Sequence, residues 1–257
     1  GPYKLVEYQS GSYLKFEANE NYYKGEPSVK NIVFQIIENA DTAILALQNG
    51  EVDAYQMTPQ QVKKLDLDAS NLTAYSYTEG RVGYLQINCN RVTDENVRKA
   101  LLFAMDRKAM DDAAFESDEY YSIPYTFLPT NSQFYTEDGV EKYEQDVDKA
   151  KSMLEEAGVS GLKLKLGYIS SDAVQSAQAL LIQEQLKEVG VTVELAGGDG
   201  TAIANAMKDP DNEYDMYLGG YIMGIDPDTF SSLFENDGAY NYMHYSGYDT
   251  IDQLFEE

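Results

Sequence analysis

The 257-residue chain carries 44 Asp and Glu against 19 Lys and Arg, a formal charge of −25, and 43% of its residues are apolar. That composition supplies a core and argues against nucleic acid or anionic lipid as a partner, because both are polyanions held mainly by Lys and Arg. The single cysteine, Cys89, allows no internal disulfide, and no apolar run approaches the ~20 residues that a bilayer crossing needs.

In chain order, "YKLVEY" (3–8) and "YLKFEA" (13–18) flank the turn-like "QSGS" and predict a hairpin. The nearly continuous apolar run "KNIVFQII" (30–37) reads as a buried strand. Asp41 can cap a helix over "TAILALQN", with Gly50 as its stop, and "VDAYQM" (52–57) then reads as a strand. Thr58, Pro59 and Gln61 form a capping-box pattern at the start of "TPQQVKKL". The strands "LTAYSYT" (72–78) and "VGYLQIN" (82–88) complete this part.

A second part begins near Asn90. Val97, Ala100, Leu101, Ala104 and Met105 recur at helical spacing. After an irregular, aromatic-rich stretch (115–140), "DVDKAKSMLEEAG" predicts a helix that Gly158 ends. The strand "LKLKLGYIS", a helix from Asp172 to Val189, the strand "VTVELAG", a helix over about 201–208, the strand "YDMYLGGYI" and a helix after Asp226 follow. This alternation implies parallel crossovers and an open α/β sheet.

Little in the chain supports catalysis. The sole histidine, His244, reads as a surface or packing residue, and neither a G-x-S-x-G elbow nor a histidine near Cys89 in sequence is present. "DPDNEYD" (209–215) spaces carboxylates as a calcium loop does, but Tyr214 and Gly220 occupy the positions that need Gly and Glu. It reads as a solvated acidic turn, with a weak cation site as the alternative. "GGDG" (197–200) lacks a following G-K-[ST] and puts Asp199 where a phosphate would sit. Asp226 or Asp228 could supply one acid of a glycoside hydrolase, which needs two across a cleft.

The ordered segments "LKFEANENYYKGEPSVKNIVFQII", "TAILALQNGEVDAYQM", "YLQINCNRVTDENVRKALLFAMDRKAM", "DVDKAKSMLEEAG", "YDMYLGGY" and "DPDTF" cover nearly the whole chain. In that order the chain resembles the oligopeptide/dipeptide-type extracellular solute-binding proteins of bacterial ABC importers. The third segment carries the family's Val-Arg-x-Ala and Asp-Arg at Val97, Arg98, Ala100, Asp106 and Arg107.

The resemblance implies a two-lobed, type II periplasmic-binding-protein-like α/β architecture, one lobe incomplete: 1–90 as part of lobe one and 91–257 as most of lobe two. Full members are about twice as long, and the opening "GPYKLVEY" reads as mid-strand, so a truncated chain is expected. The implied mechanism is hinge closure around a small ligand, the motion that periplasmic binding proteins exemplify. Partners would be a peptide or other small molecule and the permease subunits of the importer, with the protein a monomer. No cofactor and no metal are expected, and the location would be extracellular or periplasmic, with a lipoprotein anchor outside this chain.

The candidate ligand-binding residues are Arg81, Asn88, Tyr221, Met223, Gly224 and Asp226. Peptide-binding members carry an aspartate for the peptide ammonium where this chain has Met223 or Gly224, so a peptide N-terminus is not expected to be gripped in that way. Asp226 is expected to cap its helix, with Pro227 at the first helical position. The rival functions are a receptor for signalling peptides and, from another class, a secreted acidic glycoside hydrolase.

Overall fold

A computed structural model describes every residue except Ala69, Thr78, Glu116, Ile225, Tyr248 and Glu257, and the side chain of Gln60. The chain divides into two compact units, Gly1–Ala74 and Tyr75–Glu257.

In the first unit β1 (Tyr3–Gln9), β2 (Tyr13–Ala18) and β3 (Asn31–Gln35) form an antiparallel sheet in that order. Gly11, at φ +71°, makes the predicted β1–β2 turn, closed by the Ser12 N–H on the Gln9 carbonyl at 3.0 Å. α1 (Ala40–Gln48) is capped by Asn39, which accepts from Thr42, and not by Asp41, which sits in the first turn. Both residues could serve, and Asn39 holds the extended φ/ψ that a cap requires (−93°, 122°). α2 (Pro59–Lys63) has the full capping box, with Thr58 accepting from Gln61 N–H and the Gln61 side chain accepting from Thr58 N–H. Replacing Thr58 by alanine should lower the stability of this unit by about 0.5–2 kcal/mol, read from urea unfolding.

Three expectations for this unit need correction. β3 is not a buried strand: Val33 and Phe34 are 56% and 59% exposed. β3 pairs only with β2, and none of the buried apolar clusters among the described residues includes a residue of this sheet. An apolar run buries only when a second layer covers it, and sequence alone does not show that layer. Residues 52–57 form no strand, because the chain turns back on the end of α1: the Glu51 N–H donates to the Ala46 carbonyl (2.8 Å). Residues 72–77 likewise lie outside any ladder, and Thr78, the end of that expected strand, lies outside the described residues.

The second unit is built on a four-stranded sheet in the order β4–β7–β5–β6. β4 (Arg81–Ile87) runs antiparallel to β7 (Met216–Ile222), while β5 (Lys163–Ile169) is parallel to both β7 and β6 (Thr192–Gly198). The sequence groups β4 with the first part, whereas in the fold it pairs with β7. Each of the helices α3 (Glu95–Phe103), α5 (Val147–Glu156), α6 (Ala173–Glu188) and α7 (Gly200–Met207) starts on an aspartate whose side chain accepts a first-turn amide: Asp94, Asp146, Asp172 and Asp199. Asp199 therefore has a local role in "GGDG" as a cap. α4 (Arg107–Phe115) follows α3 directly.

Side-chain alternation sorts the two faces of the sheet. Ile87, Leu164, Leu166, Met216 and Leu218 join Ala100 and Leu101 of α3, Leu154 of α5, and Ala179, Ile182 and Leu186 of α6 in the main core. Tyr217, which points the other way, packs with Ile203 and Met207 of α7. The sheet is thus covered on both faces, as an α/β sheet must be to bury its parallel strands.

Asp111 on α4 is half-buried, and its carboxylate accepts from Gln178 Nε2 on α6 (2.9 Å). Burial raises its pKa above the ordinary carboxylate value. The folded state therefore holds a proton that the unfolded state has released between the unfolded and folded pKa values, and stability falls as pH rises through that window. The difference in melting temperature between Asp111→Asn and the parent should grow in favour of the variant from pH 3 to pH 7. Asparagine keeps the acceptor for Gln178 without the charge.

Candidate functional site

The connections out of adjacent strands diverge at the carboxyl edge of this sheet. The chain leaving β5 enters α6 on the face of the main core, whereas the chain leaving β7 passes to the opposite face. Such divergence opens a crevice beyond the strand ends, where open α/β sheets bind ligands. The residues at that edge are Ile222, Met223 and Gly224 from β7 and, from antiparallel β4, Gly80 and Arg81.

Their arrangement follows from the register. Arg81 lies opposite Ile222, and the Met223 N–H donates to the Gly80 carbonyl (2.9 Å), so the ladder continues one pair past the strand. Met223 is buried with Leu128, Phe230 and Leu233, while Gly224 is exposed. The Tyr221 hydroxyl lies 3.2 Å from Ser232 Oγ, and its ring is 5.2 Å from Phe230. Asp226 is a cap: its Oδ1 accepts from the Asp228 N–H (3.0 Å) at the head of a 3-10 turn, Pro227–Phe230, that leads into α8 (Ser231–Phe234). Pro227 sits at the start of that turn, where a missing N–H is tolerated.

Of the six candidate residues the structure brings Arg81, Tyr221, Met223 and Gly224 to one edge. Asn88 lies about 20 Å along the strand direction from Arg81. It is buried in a turn, its Oδ1 accepting from the Asn90 N–H (3.0 Å) and its own N–H donating to the Asp215 carbonyl (2.9 Å).

Sequence reasoning did not assemble the aromatic row behind this edge. Rings follow one another from Tyr217 to Tyr242 (5.8 Å), Tyr240 (6.1 Å), Tyr221 (6.2 Å), Phe230 (5.2 Å) and Phe127 (5.1 Å). Tyr84 of β4 joins it, and burial drives the phenols of Tyr84, Tyr217 and Tyr242 above their usual pKa, so they stay neutral donors. The alternation Val82, Tyr84, Gln86 in β4 marked one face, but only the pairing with β7 shows what lies on it.

Two consecutive glycines make this packing possible. A Cβ on Gly219 would lie 2.6 Å from the Tyr84 ring and 2.8 Å from the Tyr217 ring. Gly219→Val should therefore destabilise the unit by about 1–3 kcal/mol through overpacking, measured by urea unfolding.

The acidic loop 209–215 is not uniformly solvated, which corrects its sequence reading. Asp209 and Asn212 form side-chain-stabilised turns, and Asp215 is buried, accepting from Arg91 Nε (2.7 Å) and from the Lys165 N–H (2.7 Å). Arg91, which neutralises it, is 124 residues away in sequence. His244, at φ +51°, lies with its ring Nε2 2.8 Å from the Met207 carbonyl, to which it donates, and so has a packing role.

A groove of about 420 Å³ lies at the opposite, amino edge, between the ends of α5 and α6. Leu154, Val159, Leu162, Val189 and Val191 line it beside Lys151 and Glu155, without a buried polar side chain to fix a ligand. The carboxyl edge, where the exposed Arg81 side chain has no partner among the described residues, is the better site on chemistry.

Comparisons with known proteins agree with this architecture. The family model described as "Bacterial extracellular solute-binding proteins, family 5 Middle" matches residues 1–242. The oligopeptide-binding protein AppA of Bacillus subtilis is 28% identical over all of this chain and half of its own length. Its solved structure in complex with a nonapeptide superimposes with a TM-score of 0.83 and covers 100% of this chain and 54% of that one. The ABC transporter substrate-binding protein CtaP of Listeria monocytogenes superimposes with a TM-score of 0.85 at 38% identity, covering 100% of this chain and 53% of that one. The nickel-binding periplasmic protein of Escherichia coli is 27% identical over 81% of this chain and 43% of its own length.

The chain belongs to the family 5 bacterial extracellular solute-binding proteins. Its α/β fold is that of the type II periplasmic binding proteins, and it spans about half the length of the curated relatives it matches. No helix among the described residues is long and apolar enough to cross a membrane.

Proposed function

We propose that this chain is part of the solute-binding component of an ABC importer, one that captures an oligopeptide or similarly sized solute and hands it to permease subunits in the membrane. The observation that carries this reading is the family match over residues 1–242. The peptide-bound relative that shares the fold supports a peptide as cargo. The units Gly1–Ala74 and Tyr75–Glu257, which divide the chain earlier than the expected boundary at 90, would be contributions to the two lobes of the whole protein, which would act as a monomer outside the cytoplasm, as a lipoprotein or in the periplasm.

In this reading Arg81, Tyr221, Met223 and Gly224 form the ligand-facing edge, while Asn88 and Asp226 shape the turns that hold β4 and β7 in place. Binding, not bond cleavage, is the chemistry. Asp226 uses its carboxylate as a helix cap, which leaves the glycoside hydrolase alternative with Asp228 alone of its two named acids.

Thermal melting of the full-length protein with a panel of short peptides tests the proposal. A ligand that binds only the native state raises the melting temperature, by about 2.7 kcal/mol of stability at a hundredfold excess over Kd. The ligand should be recovered chemically intact after prolonged incubation. Hydrolysis of any panel member by the purified protein would contradict the reading.

A further inference from the structure

We infer that Arg81 is the anion anchor of the ligand site, so that the cargo is a carboxylate-bearing molecule held by its carboxylate and needing no free ammonium. This deepens the binding-protein reading above and rests on it. The chain has four arginines. Arg91 pairs with Asp215 (2.7 Å), Arg98 donates to the carbonyls of Val92 and Thr93, and Arg107 donates to the Pro124 carbonyl and lies over the Tyr125 ring. The Arg81 side chain alone makes no hydrogen bond or ion pair among the described residues, in a chain where carboxylates outnumber cations 44 to 19.

Arg81 has nonetheless a built seat. Gly83 of β4 and Gly220 of β7 face each other across the ladder, and the guanidinium lies over both. A Cβ on Gly220 would overlap the guanidinium, with Nε only 2.8 Å away, and a Cβ on Gly83 would lie 3.9 Å from Nη1. Glycine inside a strand costs stability and marks places where another group approaches the backbone closely. Here a facing pair of them carries one charged plane.

The Arg81 side chain is exposed, and its guanidinium lies just inside the carboxyl edge, over Gly83 and Gly220, on the sheet face opposite Tyr221 and Met223. A guanidinium held flat presents a fork of donors that matches a carboxylate in a bidentate pair. Neither Met223 nor Gly224 can pair with an ammonium. The local charge thus favours the acid end of a ligand over its amine end.

The test is calorimetry on the full-length protein with tri- to pentapeptides in three forms: free, C-terminally amidated and N-acetylated. The parent protein should bind free and N-acetylated peptides within about threefold of each other and amidated peptides about 10–100-fold more weakly, the span expected for a lost charge-assisted hydrogen bond. Arg81→Gln should erase the difference between acid and amide, and Arg81→Lys, which keeps the charge but not the fork, should retain part of it. Amidated peptides binding as tightly as free ones, or Arg81→Gln still discriminating, would overturn the inference while leaving a binding protein in place. If no form of any peptide binds the parent protein, the peptide-binding reading fails and the inference fails with it. Thermal melts of both variants should match the parent, since an exposed side chain is all that changes.

Discussion

Replacing Phe230 with alanine is expected to lower the stability of the Tyr75–Glu257 unit by about 3–5 kcal/mol, the usual cost of emptying a buried phenylalanine site. At about 2–4 °C per kcal/mol for a unit of this size, the melting temperature should fall by about 6–20 °C. Phe230 is 1% exposed and sits where three segments meet. Its ring is 5.1 Å from Phe127 and 5.2 Å from Tyr221, and it packs with Leu128, Met223 and Leu233. Removing it leaves a cavity that the neighbouring rings can fill only by moving. Tyr221 and Met223 belong to the candidate site, so ligand affinity should fall along with stability. Phe230→Leu keeps most of the volume and should cost less than half as much. A loss below about 1 kcal/mol for the alanine variant would show that this cluster is not a core.

The second large effect is expected at Asp215. Its Oδ1 accepts from Arg91 Nε and its Oδ2 from the Lys165 N–H, both at 2.7 Å, while its own backbone bonds Asn88 and Lys165. One residue thus ties the end of β4, the start of β5 and the entry to β7. Asp215→Ala strands a backbone N–H and a guanidinium together. Breaking a buried pair costs about 3–5 kcal/mol, but the Arg91 side chain is 40% exposed and can regain water. The expected loss is about 2–4 kcal/mol, read from urea unfolding. Arg91→Met should cost less, because the Lys165 N–H keeps its acceptor. A double-mutant cycle should show the two changes to be strongly non-additive; simple additivity would mean that the ion pair contributes nothing.

These two sites also mark what sequence could and could not reveal. Asp172, Thr58 and Asp226 were legible as helix starts because a cap is a local bargain between one side chain and amides two or three residues on. The core face of α3 was legible because a 3.6-residue period reports burial directly. Exposure of Val33 and Phe34 was not, since it depends on whether anything stacks on the sheet. The choice of Asn39 over Asp41 turned on backbone angles that both residue types can adopt.

At the candidate site, the strand, turn and cap through Tyr221–Asp226 could be read from residue order. Which side chain lies over which glycine could not. The antiparallel register of β4 on β7 puts Arg81 over Gly220 and Tyr84 over Gly219, and that pairing joins residues about 140 positions apart. The Arg91–Asp215 pair escaped notice for the same reason. Family resemblance supplied the ligand-binding class, which local pattern alone did not.

The most direct test of the binding account is a crystal structure of the full-length protein grown with the short-peptide panel. The account predicts ligand density at the carboxyl edge of β7, within hydrogen-bond reach of the backbone at 220–224 and with Arg81 against a carboxylate. Density in the amino-edge groove beside Val159 and Leu162, with the carboxyl edge empty, would contradict it.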